Sequence, residues 1–179
     1  MQDITFDSVY RAYGGRILNL AFRMTGSEDT ARDMTQDVFL KVYERLDTFQ
    51  QNSDIYTWIY RIATNHILNH LKKMKRQQLF SLLDKNVDEL LREGGINGDS
   101  ENILPDQMLE KSERENFVWN AILDLPVKYR MPLVLFRYEN MSYKEIAEKL
   151  DLSLSAVESR IHRANKQLIK KLEPLAGHI

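Results

Sequence analysis

Apolar positions recur at steps of three and four along most of the chain, which predicts helices. Phe6, Val9, Tyr10, Tyr13, Ile17, Ala21 and Met24 form the first such stripe, loosened at Gly14-Gly15. Gly26 is a stop signal, and Ser27-Glu28-Asp29 places a cap and two acids at the positive end of a second helix. That helix is expected from about Thr30 to Leu46, with Ala31, Met34, Val38, Val42 and Leu46 inward. The polar stretch 48–54 reads as a loop. A third helix is expected from about Tyr56 to Arg76, burying Ile59, Ala63 and Ile67.

The pattern then lapses. Residues 79–91 could form a helix, but Gly94-Gly95-Ile96-Asn97-Gly98 and Pro105 break any regular structure. It resumes with a helix from Phe117 to Leu125 ended by Pro126, and another from Tyr129 to Tyr138 that tolerates Pro132 near its start. The sharpest pattern follows. Ser142 with Glu145 is a capping box, and Tyr143, Ile146, Ala147 and Leu150 form one stripe. After Asp151-Leu152-Ser153, with Asp151 or Ser153 as cap, Leu154, Val157, Ile161, Ala164 and Leu168 form a second. Two short amphipathic helices joined by so few residues are a helix-turn-helix candidate.

The predicted fold is all-α: two small helical domains, residues 1–76 and 116–179, joined by a flexible acidic linker at 77–115. Charge supports this division. The net charge of −1 hides 11 basic and 9 acidic residues in 1–76, 4 and 10 in 77–115, and 10 and 7 in 116–179. Both flanks are mildly basic around an acidic middle, so separate modules with separate partners are expected. The absence of cysteine excludes disulfides, Cys-ligated zinc and thiol catalysis. No apolar run is long enough to span a bilayer and Met1-Gln2-Asp3 lacks a signal-peptide start, so a cytoplasmic protein without membrane insertion is expected.

Two faces carry chemistry. In the last helix Glu158, Ser159, His162, Arg163 and Lys166 point outward, with Arg160 to one side. Residues 159–171 hold five basic side chains and no acid. The spacing alone also suits an ordinary helical hairpin with a solvated face; the acid-free strip favours phosphate contact and base reading in a major groove. In the third helix Arg61, Asn65, Asn69 and Lys72 share a side, backed by Lys73, Lys75 and Arg76, with no acid from Ile55 to Leu83. Asn is a poor helix former, so a face rich in it suits hydrogen bonding to nucleic acid. Phe49, Tyr56, Trp58 and Tyr60 cluster beside it, either as core or as platforms for unpaired bases, with most of Trp58 expected in the core. His66 and His70 have zinc-ligand spacing, but Ile67 replaces the catalytic Glu of an HExxH motif and no third ligand is evident. No metal, no cofactor and no enzyme activity are expected: neither a phosphate loop nor a nucleophile triad is present.

"TFQQNSDIYTWIYRIATNHILNHLKK" and "LSLSAVESRIHRANKQL", in this order around an acidic linker, resemble bacterial sigma factors of the extracytoplasmic-function (ECF) subgroup. "ARDMTQDVFLKVYERL" resembles the family segment that docks on the β′ clamp helices of RNA polymerase, and "LPVKYRMPLVLFRYENMSYKEIAEKL" the start of the second domain. The resemblance implies a transcription initiation factor whose first domain recognises and melts the minus-ten element and whose second reads the minus-thirty-five element. It places minus-ten contacts at Phe49, Tyr56, Trp58, Arg61, Asn65, Asn69, Lys72 and Lys73, with a flipped-base pocket near Phe49, Arg61 and Asn65. It places minus-thirty-five contacts at Glu158, Ser159, Arg160, His162, Arg163 and Lys166, and polymerase docking at Asp33, Gln36, Asp37 and Phe39. Phe39 leaves the buried stripe of its helix and is expected to be an exposed anchor. Glu158 departs from the basic residue often found there. The implied partners are core RNA polymerase (β′ clamp helices and β flap), promoter DNA and an anti-sigma factor. A helix-turn-helix regulator that acts without polymerase is the alternative; it leaves the first domain's motifs unexplained.

Overall fold

The computed structural model describes residues 4–49, 54–84 and 113–176, which form seven α-helices and no strand. Helices α1 (Phe6–Thr25), α2 (Glu28–Arg45) and α3 (Ile55–Asp84) make one bundle; a 3-10 turn at Leu46–Thr48 follows α2. Helices α4 (Glu113–Leu123), α5 (Val127–Tyr138), α6 (Tyr143–Leu150) and α7 (Leu154–Ala176) make the other.

Local chemistry sets the helix ends. Thr5 and Ser8 form a capping box before α1, and Gly26 ends that helix at φ 74°, its N–H donating to the Phe22 carbonyl. The Ser27 hydroxyl accepts from the Thr30 N–H at the start of α2. Ser142 and Glu145 form the expected box before α6. Of the two candidate caps for α7, Ser153 accepts from the Ala156 N–H, whereas Asp151 closes α6 in the left-handed region at φ 53°. Asp adopts that conformation at lower cost than most side chains.

Three expectations change. Helix α3 runs through Asp84, so its backbone continues into the segment read as linker. The remaining linker readings, including the glycine-rich stretch and Pro105, lie outside the described residues. Tyr10 and Leu154 were assigned to buried stripes but are 51% and 49% exposed. Each stands at the margin of its helix's apolar arc; Tyr10 meets α2 only through its ring contact with Phe39, centroids 4.8 Å apart.

The core does not divide at the module boundary. Ile17, Leu20, Met34, Val38, Ile59 and Ile67 pack within one continuous cluster that also takes in Trp119, Ile122, Met131, Leu135, Ile146 and Ile161. The two bundles lie face to face, α1 against α4 and α5, and α3 against α6. A smaller cluster of Leu125, Tyr129, Leu133 and Ala164 ties α7 to its own bundle.

Candidate nucleic-acid and polymerase interfaces

A groove of about 350 Å³ opens between α2 and α3, lined by Lys41, Arg45, Trp58, Arg61, Ile62, Asn65, His66 and Asn69. Residues 58, 61, 62, 65 and 69 recur at the spacing of one helical face, so α3 supplies one wall and α2 the other. Phe49 leans on Trp58, ring centroids 5.2 Å apart. Arg61, Asn65, Asn69, Lys72 and Lys73 are exposed, while Phe49 and Trp58 are half-buried. Three cations therefore rim a recess with an aromatic floor and two amide side chains. Such a recess can stack a base, hydrogen-bond its edge and neutralise adjacent phosphates.

Lys41 and Arg45 were not among the sequence-derived candidates. They lie four apart on α2, and only the angle at which α2 meets α3 brings them to the groove. Tyr56 goes the other way. It precedes Asn65 by nine residues, about two and a half helical turns, and so points to the opposite side of α3. There its hydroxyl accepts from Arg16 at 3.2 Å, and its ring lies 4.4 Å from that of Tyr60. The structure thus gathers Phe49, Trp58, Arg61, Asn65 and Asn69, with Lys72 and Lys73 further along α3, and separates Tyr56 from them.

His66 forms part of the groove wall, its Nε2 3.2 Å from Asp37 Oδ2 on α2. Burial draws the imidazole below the ordinary histidine range, against the opposing pull of Asp37. Among the described residues no three His, Asp or Glu side chains converge to hold a metal ion.

On α7, Glu158, Ser159, His162, Arg163 and Lys166 are exposed and share one side, with Arg160 half-buried at its flank. Ser155, in the first turn, is exposed on the same side and was not singled out from sequence. Arg163 lies at the edge of the face, its Nη1 3.5 Å from the Tyr129 hydroxyl of α5. Behind this face an open apolar groove of about 640 Å³ runs between α4, α5 and α7, lined among others by Val118, Ile122, Tyr138, Leu168 and Ile169. Ile169 is 66% exposed. The mixed polar and apolar spacing after Leu168 was the only signal for this groove, and it is faint.

The docking candidates on α2 require a correction. Asp33, Gln36 and Asp37 are exposed, but Phe39 is only 3% exposed. Its ring packs edge-on against Tyr10 at 4.8 Å and against Phe6 at 6.3 Å. The α1 aromatics cover the position that helical spacing alone left outside the core. The exposed apolar residue on the acidic face is Leu40, 57% exposed and seven residues after Asp33; Tyr43, 65% exposed, lies beside it.

Residues 9–77 match the family model of sigma-70 region 2, and residues 118–168 match that of sigma-70 region 4. The chain is 32% identical over 170 residues to the ECF RNA polymerase sigma factor SigW of Bacillus subtilis, covering 95% of this chain and 90% of that one. It is 33% identical to the ECF RNA polymerase sigma-E factor of Escherichia coli, with 95% and 87% covered. Among solved structures it resembles the sigma factor RpoE of Bartonella quintana, determined in complex with the anti-sigma factor NepR (TM-score 0.71, 21% identity, 94% and 96% covered). It also resembles CnrH in complex with the cytosolic domain of CnrY (TM-score 0.62, 22% identity, 94% and 88% covered).

Proposed function

The chain belongs to the ECF RNA polymerase sigma factors, and from that premise we propose how its surfaces divide the work of promoter recognition. As a sigma factor it is a transcription initiation factor that directs RNA polymerase to promoters. A regulator acting without polymerase leaves the region 2 match without a role.

In this reading α1–α3 form the module that recognises and melts the minus-ten element. The groove carries the assignment: cations on both walls, an aromatic floor of Trp58 and Phe49, and Asn65 and Asn69 facing in. At 350 Å³ it admits one flipped base, whose unstacking costs a few kcal/mol that stacking and hydrogen bonds must offset. Lys72 and Lys73 continue the phosphate path. The exposed side of α7 reads the minus-thirty-five element in the major groove, Ser159 and His162 at its centre and Arg163 at its edge. Glu158 accepts from a cytosine amino group there or holds phosphate away.

The α2 surface of Asp33, Gln36, Asp37 and Leu40 docks on the β′ clamp helices of core polymerase, with Leu40 in the anchoring role. The apolar groove of α4, α5 and α7 suits the β flap. An anti-sigma factor is a further partner; one structural relative is bound to an anti-sigma factor. The protein acts in the cytoplasm, where core polymerase and promoter DNA are. No helix among the described residues is long and apolar enough to cross a membrane.

The direct test is promoter opening by core polymerase with Asn65→Ala, read by permanganate footprinting of the minus-ten bases. Loss of one base contact should cost about 1–3 kcal/mol. A template already unpaired there should relieve part of the defect. A wild-type footprint for the variant would refute the groove assignment.

A further inference from the structure

Tyr129 lies in the first turn of α5 and is buried, only 8% exposed. Its ring packs in the small cluster with Leu125, Leu133 and Ala164. Leu133 follows it by one helical turn on α5, and Ala164 is small enough to let the ring lie against α7. A leucine or phenylalanine would fill that space as well. The hydroxyl adds nothing to the cluster, whose other members carry no polar side-chain atom. It reaches beyond the cluster to the residue before Ala164, where it accepts from Arg163 Nη1 at 3.5 Å. The Lys128 ammonium lies 4.9 Å from the centroid of the same ring. The hydrogen bond from Arg163 holds the phenol below the ordinary tyrosine range, against the opposing pull of desolvation.

We propose that Tyr129 is a positioning residue for base readout: its hydroxyl fixes the Arg163 guanidinium at the edge of the reading face before DNA arrives, and so sets the selectivity at the base pair that Arg163 meets. This deepens, and rests on, the base-reading role given to α7 above. An exposed arginine turns about several bonds, and a guanidinium free to swing reaches a phosphate as readily as a base edge. Ordering it on DNA costs conformational entropy. A guanidinium already held at Nη1 has lost part of that freedom in the free chain, so less is lost on binding. The hydroxyl also orients the fork. One N–H of Nη1 goes to Tyr129, which leaves the edge formed by Nε and Nη2 for a two-pronged pair, the geometry that matches O6 and N7 of guanine.

The other side chains of the face lack this restraint. Among the described residues Arg163 is hydrogen-bonded to another helix, whereas Glu158, Ser159, His162 and Lys166 are not. Helix α5 therefore takes part in specificity without touching a base. A hydroxyl that served only the core would have no bearing on which base is preferred.

The test is competition among promoters by the holoenzyme, core polymerase with the full chain, on templates randomised across the minus-thirty-five element. Arg163→Ala first identifies the base pair where its loss relaxes preference. Tyr129→Phe keeps the ring in the cluster and removes only the hydroxyl, and a thermal melt followed by circular dichroism checks that the fold is kept. It should relax preference at that same base pair by roughly three- to tenfold, the worth of one hydrogen bond, and leave the other positions as they are. Tyr129→Phe combined with Arg163→Ala should match Arg163→Ala alone, because the hydroxyl acts through the guanidinium. Preference within twofold of wild type at that base pair, a sharpened preference there, a loss spread evenly over the element, or a further loss in the double variant overturns the positioning role. Wild-type preferences throughout in Arg163→Ala would overturn the base-reading role as well, so the two failures are told apart.

Discussion

Replacing Leu40 by alanine tests the polymerase-docking surface against its sequence-derived version. Leu40 is 57% exposed in the free chain and touches no core that would miss it. Covering it with a partner helix removes on the order of 100 Å² of apolar surface, about 2.5 kcal/mol at ~25 cal/mol per Å². Truncation to alanine gives back the larger part of that, about 1–2 kcal/mol, a roughly five- to thirtyfold weaker Kd for core polymerase. Folding stability should change by no more than about 0.5 kcal/mol, as for most surface substitutions. Phe39→Ala is the contrasting case. Its ring is buried between Phe6 and Tyr10, so removal leaves a cavity and should cost about 3–5 kcal/mol of stability. Any loss of polymerase binding in that variant should follow the unfolded fraction. Fluorescence-anisotropy titration of labelled protein with core enzyme, paired with urea denaturation, separates the two. Leu40→Ala binding within twofold of wild type, or a Phe39→Ala variant as stable as wild type, would refute the reasoning.

Arg163→Ala should cost about 1–3 kcal/mol on a consensus promoter and relax preference at one or two minus-thirty-five positions, whereas Arg160→Ala should weaken all promoters alike and reduce the salt slope by about one; selection from a randomised element reads both. The depressed pKa of His66, caused first by burial, means that the unfolded chain binds that proton more readily. Its contribution is intact above the unfolded histidine pKa near 6.5 and is lost as pH falls towards the native value, so the urea midpoint should drop on acidification and His66→Gln should lessen the drop. Gly26→Ala meets two penalties, a left-handed φ of 74° and the 2.8 Å approach of Leu123, and should destabilise the chain by about 1–3 kcal/mol; adding Leu123→Ala should relieve only the contact, as thermal melts of the single and double variants would show.

Sequence alone determined the features whose causes are local. The stripes of α1, α2, α3 and α6 and the caps at Gly26, Ser27 and Ser142 depend on neighbours within a turn or two, and each was legible. So was the outward face of α7, because helical spacing fixes which side chains lie together. Tertiary structure decided whatever depends on which element lies opposite. Phe39 is buried because α1 brings Phe6 and Tyr10 over it, and Leu40 one residue later is not. Lys41 and Arg45 reach the groove only through the packing of α2 on α3. The face-to-face packing of the two bundles is the extreme case. Arg16 and Glu139 are 123 residues apart, neither stands out in the sequence, and nothing local makes a carboxylate after α5 a buried one. Only the meeting of two separately readable bundles supplies the partners that hold it.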